Sequence, residues 1–439
     1  MQNADNRIIH ILSALTDGCL AVFLGPFVLY VGPGGYAGIV PNKGVFFFCA
    51  AGGYLLLLAA VLLSARLRGR RIPGRLAHAQ KAVLVFWLLS LLSAVFSVDR
   101  YAAFFGSARL EGFLTLSLYC ALILSVSLWG RAKVWHLQLF LLAMSLNCAL
   151  ALAQLAGLDP FSLYPAGQHF GSYSEPNALP YLGTTGNTNL LSALLCITLA
   201  LSAAGLLRFR AKQRLLLLVP LALSLSVIFL ADVSGAQVAV LLGSLFAAPV
   251  LLADPGIRRR RAALFAVAAL LCATVFLFLF GQRLHGVLYE ASALLHGQWD
   301  DRFGSGRLYI WRHVLALIAE RPLLGGGPDT LLSRSIAGGI LFQRLDEHGT
   351  LLRRYIDAAH NSYLNIAVNE GVPALCAALA ALFAAAKSYL RLARTNEAAA
   401  LCGSAVLFWC AQALFEISLV STTPYFCLCL ALLLAENRP

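Results

Sequence analysis

Long apolar runs recur along this chain at short intervals, and they decide what it can fold into. "VFFFCAAGGYLLLLAAVLLSA" and "AALFAVAALLCATVFLFLF" each supply about 20 residues, enough as helix to cross a hydrocarbon core roughly 30 Å thick. Of 439 residues, 60% are hydrophobic and 12% charged, too few polar groups to coat a soluble body of this length. The chain is read as an integral membrane protein with little room for a separate soluble domain.

Divided at charged and Pro/Gly-rich breaks, the apolar runs predict about twelve spans. They fall near 8–31, 44–65, 81–98, 112–129, 134–157, 189–207, 215–231, 236–252, 262–281, 361–386, 398–415 and 420–434. The expected fold is all-α and polytopic, with a nine-helix part over 1–281, a long extracytoplasmic loop over 282–360 and a three-helix part over 361–439. Basic stretches follow alternate spans: "RLRGRRIPGR", "RAK", "RFRAKQR", "RRRR" and "KSYLRLAR". With Arg7, Lys81 and Arg438 they put 21 of the 33 lysines and arginines on one side. The positive-inside rule makes that side cytoplasmic, so both termini are expected inside a cell inner membrane.

Orientation and contact with membrane lipids account for the net charge of +13. No soluble basic face is present for nucleic acid. All 11 cysteines, from Cys19 to Cys429, sit in or beside apolar runs, with no disulfide framework and no Cys/His zinc spacing. Cys427 and Cys429 read as ordinary buried thiols. The start "MQNADNRIIHILSAL" lacks a small-residue cleavage pattern and is expected to stay as part of the first span.

Two segments interrupt the apolar pattern. Residues 158–188 are rich in Pro, Gly, Tyr and Ser and hold no Lys or Arg. Residues 282–360 hold nine arginines against eight Asp/Glu, and a loop of that length points to function. Inside it, "SGRLYIWRHVLALIAERP" predicts an amphipathic helix from Gly306 to Pro322 with the stripe Leu308, Trp311, Leu315 and Ile318. That helix is expected to lie on the membrane surface. "GGG" at 325–327 reads as a turn, since it lacks the strand and lysine of a phosphate loop.

The loop ends on "DAAHNSYLNIAVNEG", residues 357–371. There His360 stands between water and a low-dielectric interior, where a neutral imidazole takes a proton from a hydroxyl at ordinary pH. The same place suits a histidine that caps the helix or bonds a nearby loop. Asn187 and Asn189, where the first loop folds into a span, are candidates for sugar or phosphate contact and equally for helix capping. Glu370, placed inside the tenth span, is expected to be structural and paired. Asp17, Asp232 and Glu416 are isolated or at a boundary and do not form a transporter's charged path.

"HNSYLNIAVNEGVPA" resembles the signature of the O-antigen ligase and O-antigen polymerase superfamily: His, then Asn, Ser or Gln, nine residues, then Gly-x-x-Gly. His360, Asn361 and Gly371 match, and Ala374 stands in place of the second glycine. "SGRLYIWRHVLALIAERPLLGGGPDT" is similar to that family's Arg-x-x-x-Trp helix followed by Pro-x-x-Gly-x-Gly-Pro, and "TTGNTNLLSALL" to its Gly-Asn-x-Asn. One departure stands out, because the family's Ser-Arg-Gly-Ala motif corresponds to Val233, Ser234, Gly235 and Ala236, leaving Ser234 where an arginine is expected.

The resemblance implies a GT-C-like membrane glycosyltransferase. It would move a glycan from an undecaprenyl diphosphate carrier to a glycan or lipid acceptor, inverting and metal-independent, with no cofactor. It makes His360 and Arg307 the catalytic candidates, with Asn187, Asn189, Trp311, Arg312, Arg353, Arg354 and Asn361 around the substrates. Arg302 and Arg334 rank below them. A polysaccharide polymerase is the nearest alternative, and a lipid-linked oligosaccharide flippase or other transporter the alternative of another class.

Overall fold

The computed structural model describes residues 2–70, 76–107, 109–171, 177–252, 258–345 and 351–436. Arg71, Arg75 and Arg438 of the expected basic side lie outside the described residues. Helix dominates. Among the described residues, eight helices are long and apolar enough to cross a membrane: Asn6–Leu29, Gly35–Leu67, His78–Val95, Val134–Leu155, Thr188–Arg208, Gln213–Leu230, Ser234–Leu252 and Val372–Leu392. A ninth candidate, Val267–Arg283 with Val287–Leu295, is bent by 109°. Phe113–Trp129, Glu397–Gln412 and Thr423–Ala435 are apolar but shorter. The chain is an integral membrane protein with eight or nine candidate spans among the described residues, where the apolar runs predict about twelve.

The short helices are central. Glu397–Gln412 packs against Thr188–Arg208 and Ser234–Leu252, while Thr423–Ala435 packs against Phe113–Trp129. Thr188–Arg208 and Thr423–Ala435 are buried along nearly their whole length, so protein covers them where lipid would otherwise. Between the two short helices, residues 413–422 leave the helical path. Such backbone is tolerated at membrane depth only where protein or a cavity satisfies it. Here Ser362 N donates to Ala413 O at 2.8 Å and Arg307 Nη2 to Phe415 O at 3.2 Å.

Two expected spans are broken. The first helix stops at Leu24, and Pro26–Leu29 continues as a separate turn. Fully buried Lys43 donates to the buried carbonyls of Phe27 and Val28 at 2.6 and 3.1 Å, and Thr184 Oγ1 donates to Val28 O at 2.6 Å. The expected span 361–386 is corrected: Ser362–Asn369 is a short helix, and the long helix is Val372–Leu392. Gly371 breaks it with φ +94°, where a Cβ would stand 2.2 Å from Leu323 O, and Pro373 follows in the first turn, where its missing N–H costs nothing.

The long loop folds on itself. Arg307–Glu320 packs against Ser362–Asn369 in a second, smaller core of Ile310, Val314, Leu317, Leu331, Ile356, Ala359 and Val368. This corrects two expectations. The helix is not a bare surface element, and its buried residues are Leu308, Ile310, Val314 and Leu317, while Leu315 is exposed. Further along, the loop contains an antiparallel pair, Leu341–Leu345 with Leu351–Tyr355.

Candidate active site

The triple-glycine turn is the joint of the loop. Gly326 N and Gly327 N donate to Val368 O and Asn369 O at 3.0 and 2.8 Å, and Gly326 O accepts from Val98 N at 3.0 Å and Ser97 Oγ at 2.8 Å. Gly325 holds φ +62° with Asn369 O only 2.3 Å from where a Cβ would sit, so glycine is required there. Two positions on, the Asp329 carboxylate accepts from Ser107 N at 2.6 Å and from Arg109 N and Glu111 N at 3.3 Å each. One acid thus fixes the course of residues 107–111 relative to the long loop.

That course delivers Arg109. Its Nη2 pairs with Asp357 at 2.7 Å, three residues before His360. His360 itself sits in the left-handed region, φ +48°, a backbone state that costs a branched or long side chain of order 1–3 kcal/mol and persists only where neighbours fix it. The neighbours are present. Trp311 Nε1 donates to Ala359 O at 2.9 Å, Ala359 N donates to Asn365 Oδ1 at 3.2 Å, and the Asn361 carboxamide caps the next helix by accepting from Tyr363 N and Leu364 N at 3.0 Å.

His360 lines a cavity of about 290 Å³ together with Arg109, Asn187, Asn189, Tyr36 and Glu416. Asn187 caps Thr188–Arg208, its side chain accepting from Asn189 N at 2.7 Å, and it lines this cavity. Glu416 joins the wall although sequence reading set it aside. Both of its carboxylate oxygens are buried without a hydrogen-bond partner, and burial raises its pKa well above the carboxylate range.

Burial, and then the guanidinium groups of Arg307 and Arg109, push the His360 pKa down to about 4 against the pull of Asp357. The ring is therefore neutral at ordinary pH and carries a lone pair. Burial also lowers Arg307, with Glu290 opposing, yet an arginine stays charged. Arg307 donates Nη1 to Gly304 O at 2.8 Å and Nη2 to Phe415 O at 3.2 Å. The Nε atoms of Arg307 and Arg109 are both buried without an acceptor. A buried donor left unpaired costs roughly 1–3 kcal/mol, so two of them beside one histidine mark a place for an acceptor that the protein does not supply.

Other expected residues stand elsewhere. Arg312 pairs with Asp301 at 2.7 Å and lies over the Tyr309 ring. Arg353 and Arg354 are exposed on the strand pair, opposite Gln343 and Phe342. Neither they nor Arg312 line the His360 cavity, and Trp311 supports the histidine's backbone instead of facing it. Arg302 pairs with Asp300 at 2.7 Å. Arg334 is buried, donating to Val368 O, Leu317 O and Glu320, which makes it a brace of the second core. Glu370 is buried, and its charged neighbours are the acids Glu111 and Asp329; burial raises all three. Arg109 was missed because nothing in "GSARLEG" sets it apart, and the only hint was a basic residue in a short loop on the less basic side.

No curated protein matches the chain. Residues 219–379, which contain Arg307, Trp311, His360 and Gly371 but neither Arg109 nor the two asparagines, match the model of a family described as O-antigen ligase. Over that stretch, a little over a third of its length, the chain is similar to the O-antigen ligase family.

Proposed function

We propose that the protein transfers a glycan from an undecaprenyl diphosphate carrier to an acceptor hydroxyl at the outer face of the inner membrane, with both termini cytoplasmic. The observation that carries the reading is a neutral, strained His360 on the wall of a cavity that Arg109 also lines, with Arg307 close enough to act on the ring's charge and bonded to Phe415 O of that wall, though not itself in the lining. The acceptor O–H gives its proton to the imidazole, its oxygen bonds the anomeric carbon, and the bond from that carbon to the phosphate oxygen breaks. The electron pair leaves with the diphosphate, which Arg307 stabilises. Single displacement inverts the anomeric centre, and the diphosphate is already a leaving group, so neither nucleotide nor metal is called for. Asn187 and Asn189 bond sugar hydroxyls.

The arginines that add to burial in lowering the His360 pKa also explain how it becomes a base. A bound diphosphate brings negative charge to the same place and offsets them, which raises the basicity of the ring in the substrate complex. Ligation and polymerisation share this donor chemistry and differ in the acceptor. The test is His360→Ala, assayed with undecaprenyl diphosphate-linked glycan. Transfer is expected to fall about 10²–10⁴-fold, the contribution typical of a general base, while the protein stays folded and in the membrane. Transfer at the original rate would remove the proposed base.

A further inference from the structure

A diphosphate ester needs more positive charge and more N–H donors than Arg307 has to give. Two of its nitrogens are engaged with Gly304 O and Phe415 O, so most of its fork already holds the backbone of this chain. The neutral Ser234 begins the Ser234–Leu252 helix, and its neighbour Gly235 packs against Phe415 at the edge of the cavity. No cation enters from that side at this position. The cavity is lined instead by Arg109, from a loop that the O-antigen ligase match does not cover.

Resting on the reading above, we infer that Arg109 is a diphosphate-binding residue, supplying from the 107–111 loop the charge that position 234 lacks. Four observations converge. Arg109 lines the cavity that holds His360. Its Nε–H is buried with no acceptor, while Nη2, its neighbour on the same edge of the guanidinium, is held by Asp357 at 2.7 Å, so Asp357 anchors one nitrogen of the parallel pair and leaves the other unspent. The full pair, matched to phosphate oxygens, becomes available to the extent that Asp357 yields its share. Finally, Asp329 bonds the loop's backbone on both sides of the residue, which fixes where the charge stands before any ligand arrives.

Asp357 has a definite part in this. It neutralises Arg109 in the empty site, and as the diphosphate binds it must share the guanidinium with the incoming oxygens. A merely structural ion pair and an anion-binding arginine then respond differently to mutation. If the pair only braces the His360 turn, removing either partner has the same effect. If Arg109 binds phosphate, removing Asp357 releases the guanidinium to the ligand.

The experiment titrates inorganic pyrophosphate into the purified full-length protein, by thermal shift and by inhibition of transfer, for wild type, Arg109→Gln and Asp357→Asn. Arg109→Gln is expected to weaken pyrophosphate at least tenfold and to raise the donor KM, whereas Asp357→Asn binds pyrophosphate as tightly as wild type or tighter. Equal affinity in wild type and Arg109→Gln, or an equal loss in both variants, would overturn the assignment. Arg109→Lys guards against misfolding: retained charge without the fork is expected to restore part of the affinity. A wild-type protein that binds pyrophosphate through Arg109 yet moves no glycan would overturn the transfer reading and leave the anion site standing.

Discussion

The Asp329 carboxylate accepts the backbone N–H of Ser107 at 2.6 Å, joining the turn after the triple glycine to a loop on the far side of the sequence. This bond and its two companions tie the long loop to the backbone of Ser107, Arg109 and Glu111. Arg109 and His360 owe their common cavity to it.

Asp329→Asn keeps the shape and removes the charge that three N–H donors share. Loss of that acceptance is expected to destabilise the protein by about 1–3 kcal/mol. Thermal unfolding in detergent reads the stability, and a larger loss in transfer than in the folded fraction is expected at temperatures where the protein remains intact. Unchanged stability would mean that the loop is held by other contacts.

The pH dependence follows from His360. Its pKa in the folded protein is about 4, below the ordinary value near 6.5, so the unfolded chain binds more protons than the native one between those values. Stability from this group therefore rises with pH across that window and is lost as pH falls from about 6.5 to about 4. The acid limb of kcat/KM, which reports the free enzyme, is expected near the lower value. The limb of kcat is expected at higher pH, because the bound diphosphate offsets the arginines. Coincident limbs would count against substrate-raised basicity.

Trp311 holds the carbonyl just before the histidine. Trp311→Phe retains most of the ring's packing but loses the Nε1 bond to Ala359 O, worth roughly 0.5–1.5 kcal/mol. Since the ring does not line the cavity, the effect is expected on kcat with the donor KM little changed. Steady-state kinetics decide it, and a rise confined to KM would place the indole at the substrate.

Positions 371 and 374 separate backbone geometry from helix packing. At Gly371, a Cβ would meet Leu323 O at 2.2 Å with φ +94°, so Gly371→Ala is expected to cost at least about 2–3 kcal/mol from strain and collision. Ala374 is fully buried within a helix, and Ala374→Gly is expected to cost only about 0.5–1 kcal/mol. The yield of monodisperse protein on size exclusion compares the two, and equal yields would contradict the assignment.

Much of this architecture is local physics and is readable in the chain. Apolar runs of sufficient length become helices because no water in the bilayer satisfies a bare backbone. The turn at 325–327 and the capping by Asn187 and Asn361 follow from residues that tolerate positive φ or accept backbone N–H groups. The broken helix before Val372 was legible in principle, since Gly371 and Pro373 sit together, but hydropathy alone runs straight across them. Arg307–Glu320 was found as a helix with the wrong face, because periodicity assumes one flat partner while the second core wraps around it.

The site divides the same way. By itself the sequence determined a polytopic membrane protein with a histidine and an arginine in a long polar loop, because composition and short motifs carry those properties. Only the tertiary structure decided that Arg109 stands beside His360 while Arg353 and Arg354, far nearer in sequence, stand apart. Proximity there depends on where Asp329 ties two distant loops together, and a contact between distant segments leaves no periodicity or spacing to be read along the chain.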